Sequence, residues 1–215
     1  MRLTTIINEI KGHTLLDIGT DHAYVLIRAL QEKRIEKGIA VEIAKQPLKR
    51  AISNAKKHGV YDQISFVLSD GFKQVNEAYD IVSITGLGFD TIKHILSQPH
   101  QKPAYYILST HSKLIELRQF LSNNNFTIKN EILVYDKRFY SIIIAINGQQ
   151  DLSEEDIILS PILKGNIDSI PFYEQELNKI NMILSKTTDK NNKVLYFMKT
   201  VYENNLKSLK KQPPK

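Results

Sequence analysis

Leu15-Leu16-Asp17-Ile18-Gly19-Thr20-Asp21-His22-Ala23-Tyr24 is an apolar run that stops at an acidic residue and one glycine, turns polar, and gives way to a helical pattern. The spacing predicts strand, tight turn, helix, with a buried first strand over His13 to Gly19. At such a turn an open α/β sheet exposes backbone N–H groups to a ligand, and Gly19 lets the chain approach it without a Cβ in the way. A nucleotide-like cofactor is the natural occupant.

A dinucleotide site needs G-x-G-x-x-G, which seats a pyrophosphate on backbone amides at a helix N-terminus. Here Gly19 is followed by Asp21 and Ala23, with no second or third glycine. Asp17 and Asp21 around the turn would repel a pyrophosphate but suit a ligand carrying positive charge, such as a sulfonium with an α-amino group. S-adenosylmethionine is that ligand. The plainer reading of the same stretch is a strand-turn-helix with an ordinary buried aspartate.

Further landmarks favour the cofactor. The run Gly38 to Ile43 carries Glu42 near its C-terminal end, where an α/β nucleotide site needs a carboxylate for the ribose hydroxyls. Ile64 to Ser69 leads into Asp70-Gly71, and Asp80 to Thr85 leads into Gly86-Leu87-Gly88. Ligands in open parallel sheets bind outside the carboxyl ends of strands, so four such ends in register form one site.

Asp17-Ile18-Gly19-Thr20-Asp21-His22-Ala23-Tyr24, with Glu42, Asp70-Gly71 and the Gly86-x-Gly88 loop behind it, resembles the bacterial TrmK family, which methylates N1 of adenine 22 in tRNA. The likeness covers residues 3 to 147, and a C-terminal helical extension fits the same family. Its most specific part is Asp-His-Ala-Tyr directly after the glycine turn; the other landmarks are shared by many methyltransferases. Two departures fall on the expected acceptor side: Gly86-Leu87-Gly88-Phe89 where the family tends to Gly-Met-Gly-Gly, and Ser109-Thr110-His111 where it tends to Gln-Pro-Asn.

The expected donor site is Asp17, Gly19, Asp21, His22, Glu42, Ile43, Asp70, Gly71, Thr85 and Gly86, and the expected catalytic set is Asp21, His22, Tyr24 and Gly88. Asp21 would offset positive charge on donor or product. His22 reads either as a local cap beside the turn or as a ligand to donor or base. Tyr24 reads more simply as a core tyrosine than as a base-stacking ring, and Phe89 likewise; His111 is a candidate pocket wall. The chemistry implied by the resemblance is modest. Adenine N1 carries a lone pair and no proton, so the site must place it in line, exclude water and stabilise developing positive charge. The target base sits in a stacked stem, so unstacking and a receiving pocket are also implied.

Composition bounds the rest. A chain of 215 residues buries a real core, and one α/β domain plus an appendage is the default. The absence of cysteine rules out disulfides and thiolate chemistry, and the six histidines form no ligand cluster, so no metal is expected. No apolar run reaches membrane-spanning length and Met1 to Thr5 lacks a signal-peptide core, which leads to a cytoplasmic expectation; oligomeric state stays open, a monomer being favoured. The net charge of +6 invites a nucleic-acid partner, although a bias to lysine, asparagine and isoleucine produces such an excess by itself. Its distribution says more. From Asp151 to Glu176 acids outnumber bases seven to one, whereas from Leu177 to Lys215 nine lysines face only Asp189 and Glu203. That basic end is a tRNA-contact candidate, or simply a solvated face.

Periodicity sets the organisation. Helices are expected at Leu3 to Ile10, from Tyr24 through Ile35, from Pro47 to His58-Gly59, at Asp90 to Leu96, and from Ser112 to Leu121. Tyr105 to Ser109 reads as a strand, and Ile128 to Tyr135 with Phe139 to Ile146 as a hairpin joined by Asp136-Lys137-Arg138. A sheet closed by an antiparallel hairpin marks Rossmann-like methyltransferases, whereas a dehydrogenase would continue strand-helix-strand. The expected domains are 1–148, a methyltransferase domain, and 149–215, a helical extension. In the latter Ser153 is an N-cap followed by three acids. Tyr173, Leu177, Ile180, Leu184 and Thr187, a turn over Thr188 to Asn192, then Leu195, Met198, Tyr202, Leu206 and Leu209 predict an antiparallel coiled hairpin, and Lys210 to Lys215 a frayed tail. Two other function classes fit less of the pattern. A class I methyltransferase for another RNA is the nearest alternative; one for a small molecule would more naturally carry a lid than a detached basic hairpin, and a noncatalytic RNA-binding module has no use for Asp17, Gly19, Glu42 and Asp70.

Overall fold

The computed structural model describes residues 1–186 and 192–211. Seven strands, β1 (Thr14–Ile18), β2 (Lys37–Glu42), β3 (Ile64–Leu68), β4 (Ile81–Leu87), β5 (Tyr105–Thr110), β6 (Phe126–Asp136) and β7 (Arg138–Asn147), form one sheet in the order β3-β2-β1-β4-β5-β7-β6. The first five are parallel, and β7 pairs antiparallel with both β5 and β6. The five residues of β1 are all buried, as expected of a central parallel strand covered on both faces. The chain winds outward from β1 to β3 and then returns to β4 on the other side of β1. Strand order therefore reverses between β1 and β4, and a crevice opens outside their carboxyl ends.

Helices α1 (Arg2–Asn8), α2 (Tyr24–Gln31), α3 (Lys45–Lys57), α4 (Phe89–Leu96) and α5 (Leu114–Asn123) belong to this first unit, Met1–Gln150. Their apolar stripes meet the sheet in a core that includes Ile7, Leu15, Leu26, Ala51 and Ile81. Several boundaries differ from the sequence reading. Helix α2 ends at Gln31, so Ile35 is buried beyond it rather than along its stripe. Pro47 is the third residue of α3, not its opener; in the first turn its missing N–H costs no hydrogen bond. Gly86 and Leu87 were expected in a loop but continue β4, because Leu87 pairs with Thr110 after a register shift at Gly86, whose φ of +79° suits a glycine. The β6–β7 connection is a single residue between strands, Lys137, at φ +62°.

The second unit, Asp151–Lys215, is helical: α6 (Glu154–Leu159), α7 (Ile170–Lys186) and α8 (Lys193–Leu209). Ser153 and Asp156 form a reciprocal capping box at the start of α6. Helices α7 and α8 run antiparallel, since Glu174 near the start of one meets Lys210 after the end of the other at 2.7 Å, and the Tyr173 and Tyr202 rings lie 5.9 Å apart. Tyr173, Ile180, Tyr202, Leu206 and Leu209 are buried along the seam, and Leu177, Leu184, Leu195 and Met198 are half-buried. Thr187, the turn at 188–191 and the tail at 212–215 lie outside the described residues. Asn192, expected in that turn, caps α8 by accepting the Leu195 N–H.

Candidate donor and acceptor site

The turn after β1 is wound more tightly than its one glycine suggests. Gly19, Asp21 and Ala23 have φ of +78°, +44° and +57°, so two non-glycine residues hold left-handed backbone within five positions. Such strain persists only when the surroundings over-determine it. They do: the Gly19 and Thr20 N–H groups both donate to the Val41 carbonyl, and the Ala23 N–H donates to Thr20 O at 2.8 Å. Gly19 is demanded by its φ and by packing as well as by any ligand, because a Cβ there would lie 3.0 Å from Leu87.

Below this turn lie two carboxylates. Glu42, at the end of β2, is buried and accepts three backbone N–H groups, from Asp21 at 3.2 Å, Ile43 at 2.9 Å and Ala44 at 3.4 Å. Asp17 accepts the Thr20 hydroxyl at 2.8 Å. Burial pushes the Asp17 carboxyl up to about 6, with the Glu42 charge adding to the rise and the hydroxyls of Thr20 and Ser83 opposing it. Among the described residues neither carboxylate has an ion-pair partner.

A cleft of about 640 Å³ opens here, lined by Asp17, Gly19, Asp21, His22, Tyr24, Glu42, Thr85 and Gly86 of the expected set. It also takes Arg2, Leu3 and Ile6 from α1, Val25 from α2 and Pro47 from α3, none of which the sequence singled out. No local pattern marks Arg2; the packing of α1 brings it there. A second cleft of about 670 Å³ lies by His13, Glu36 and Asp80, at the amino ends of the strands, away from the switch point.

Four expected residues stand apart from the cleft lining. Ile43 exposes its side chain and contributes its N–H to Glu42. Asp70 is held by Lys73 at 2.6 Å and His94 at 3.0 Å, and those hydrogen bonds, Lys73 first, keep its carboxyl below the usual range. Gly71, at φ +65°, lies against Gln98. Gly88 caps α4 beside His111 and Ser112, toward β5.

On the acceptor side two expectations change, for Asp21 and Tyr24, while Phe89 is the core residue it reads as. Asp21 is not a free anion: Arg50 of α3 meets it at 2.8 Å and His22 at 3.4 Å. Tyr24, which reads as a core residue, is 51% exposed because it opens α2 at the cleft mouth, and its ring stacks on His22 at 5.4 Å. Phe89 is unavailable for base stacking, being 9% exposed and edge-on to Phe120 in the core. Asn54 donates to the His22 carbonyl at 3.1 Å, so α3 fastens the turn at two points; Arg50 and Asn54 carry no sequence signal beyond helical spacing.

S-adenosylmethionine fits this donor set. The volume is in the range of small-ligand sites, roughly 300–1,000 Å³. Two buried carboxylates with no ion-pair partner among the described residues suit a sulfonium, an ammonium and two ribose hydroxyls, and a Cβ at Gly86 would meet open space. A parallel sheet closed by an antiparallel β7, with the cleft at the β1–β4 switch point, defines a class I S-adenosylmethionine-dependent methyltransferase. The sequence model of the TrmK family, tRNA (adenine(22)-N(1))-methyltransferase, matches residues 15–207, and the chain belongs to that family. The Bacillus subtilis tRNA (adenine(22)-N(1))-methyltransferase is 28% identical over 209 residues, covering 94% of this chain and 83% of its own. The structure of M. capricolum TrmK in complex with S-adenosyl-homocysteine superposes with a TM-score of 0.83 at 29% identity, covering 98% of this chain and 97% of that one. A Streptococcus agalactiae protein of the NADB-Rossmann superfamily reaches 0.87 at 28% identity, over 95% and 96% of the two chains.

Proposed function

We propose that this enzyme holds S-adenosylmethionine in the cleft at the ends of β1, β2 and β4 and transfers its methyl group to N1 of adenine 22 in tRNA. The observation that carries the residue assignment is the pair of buried carboxylates, Asp17 and Glu42, facing one cleft without a basic partner. When bound, the donor supplies an electrophilic methyl on sulfur. Glu42 accepts hydrogen bonds from the ribose hydroxyls, and Asp17 faces the positive end. The backbone of Thr85 and Gly86 forms the floor, and Asp70 and Gly71 border the adenine end.

Tyr24, His22 and Gly88 bound the space for the base, and neutral N1 needs no general base. Asp21, shared with Arg50 and His22, fixes the turn and keeps a negative potential near the cationic product. A monomer working in the cytoplasm, where tRNA is modified, accords with this reading. No helix among the described residues is long and apolar enough to cross a membrane. On the helical pair Lys179, Lys199 and Lys210 are paired with Glu176, Glu203 and Glu174, which among the described lysines of these helices leaves Lys186, Lys193 and Lys207 better suited to phosphate contact.

Incubation with labelled donor and unmodified tRNA, followed by nucleoside analysis, should place label in 1-methyladenosine, and tRNA lacking adenine at position 22 should take none. Label in any other nucleoside overturns the assignment.

A pH dependence follows from Asp17. Its folded pKa, about 6, exceeds the ordinary carboxylate value of 3.8, so between those values the free enzyme retains a proton that the unfolded chain has lost. Its stability is therefore highest below about pH 4 with respect to this group, declines as pH rises toward 6, and is flat above. A cationic donor favours the carboxylate and lowers that pKa. Donor affinity should thus be constant above pH 7, fall by up to about tenfold per unit below 6, and be accompanied there by proton release. Calorimetry in buffers of different ionisation enthalpy reads this directly. Asp17→Asn should weaken binding and abolish the proton release; a wild-type enzyme with pH-independent affinity between 5 and 7 removes Asp17 from the donor site.

A further inference from the structure

The β6–β7 hairpin turns at Tyr135-Asp136-Lys137-Arg138-Phe139-Tyr140, three charged residues flanked by aromatics, which the donor site does not use. Strand β7 pairs antiparallel with β5 through Tyr106↔Ala145, Ile107↔Ile144 and Leu108↔Ile143, so residues 138–140 continue past the carboxyl end of β5. That is the edge on which the donor cleft opens. Arg2 connects the two features, because it lines the cleft while its guanidinium lies 4.7 Å from the centroid of the Tyr140 ring. Arg138 lies 4.8 Å from the same centroid.

Two guanidiniums therefore lie within 4.7 and 4.8 Å of one ring, a concentration of positive charge that the ring quadrupole offsets only in part. Among the described ion pairs neither arginine has a carboxylate partner; Asp136, the one acid of the tip, faces the Met1 amine at 4.0 Å. An oxyanion docking at this arginine pair would neutralise that charge and accept forked, charge-assisted hydrogen bonds. Beside them Tyr135 is 57% exposed, and Phe139 holds its ring from one edge at 5.1 Å. A pre-oriented exposed aromatic next to a phosphate-seeking pair is how proteins engage unstacked nucleotides.

We propose that the tip of the β6–β7 hairpin, together with Arg2, docks the RNA substrate: Arg2 and Arg138 take one backbone phosphate and Tyr135 stacks on an unpaired base next to the target adenosine. This rests on the reading that tRNA is the substrate. It adds a specificity surface on the sheet unit itself.

The test uses the full-length protein carrying Arg138→Ala, Arg138→Lys or Tyr135→Ala, residues outside the donor cleft. Donor affinity and thermal melting report that each variant is folded and loaded. Arg138→Ala should raise KM for tRNA about five- to tenfold with kcat within twofold, and lower the slope of log Kd against log salt by about 1. Arg138→Lys should restore the slope but only part of the affinity. Tyr135→Ala should weaken tRNA binding about tenfold with the slope unchanged, since stacking releases no counterions. Wild-type tRNA affinity and salt slope in folded Arg138→Ala and Tyr135→Ala proteins would overturn the proposal while leaving methylation of adenine 22 intact. Conversely, a wild-type protein that shows these binding losses on mutation yet transfers no methyl to tRNA upholds the surface and overturns the function.

Discussion

Replacing Glu42 with alanine is expected to weaken S-adenosylmethionine binding by about 1.5–3 kcal/mol, roughly ten- to 150-fold, the range for hydrogen bonds to a charged group. The carboxylate sits at the end of β2 and holds the N–H groups of Asp21, Ile43 and Ala44, so it shapes the cleft before it touches a ligand. Both functions are lost in Glu42→Ala, whereas Glu42→Gln keeps an acceptor oxygen and should lose less. The sheet should survive, since these N–H groups lie at the cleft edge where water can reach them. Titration calorimetry on the folded variants decides the matter: unchanged affinity in Glu42→Ala would take the residue out of the ribose site.

The largest effect on stability should come from Arg118→Met. Arg118 on α5 and Glu131 on β6 form a two-pronged ion pair, Nε to Oε2 at 3.0 Å and a terminal nitrogen to Oε1 at 2.7 Å, with side chains 1% and 0% exposed. Ser141 of β7 adds a hydroxyl to the same carboxylate at 2.6 Å. Removing the arginine strands a buried negative charge, a loss of about 3–5 kcal/mol against a total stability of roughly 5–15 kcal/mol. The double variant Arg118→Met, Glu131→Leu should recover most of it, because no charge is then left unpaired. Urea denaturation reads both. A single variant as stable as the wild type, or a double variant no better than the single one, would show that the pair does not fasten α5 to the hairpin.

The β1-turn-α2 segment was legible because each of its signals is local. A continuous apolar run, one glycine and the onset of helical spacing leave little choice of structure, and β1 and α2 begin within a residue of the predicted positions. The hairpin was legible for the same reason. The β4 bulge was not: Gly86 next to Leu87 looks like a loop until β5 supplies Thr110 as a partner. Tyr24 misleads in the same way, because a tyrosine opening an amphipathic helix looks like core unless the helix start is known to lie at a cleft mouth.

The sequence by itself determined the succession of strands and helices along the chain, the tight turn after β1, and the placing of Asp17 and Glu42 near strand ends, since these depend on residue type and short-range periodicity. Tertiary structure alone decided which charges are free. Asp21 is matched by Arg50 twenty-nine positions away, Asp70 by His94, and Glu131 by Arg118, while Asp17 has no ion-pair partner among the described residues and Arg2 is carried from the first helix to the cleft. Coulomb interactions depend on distance in space and on burial, and neither is a function of separation along the chain.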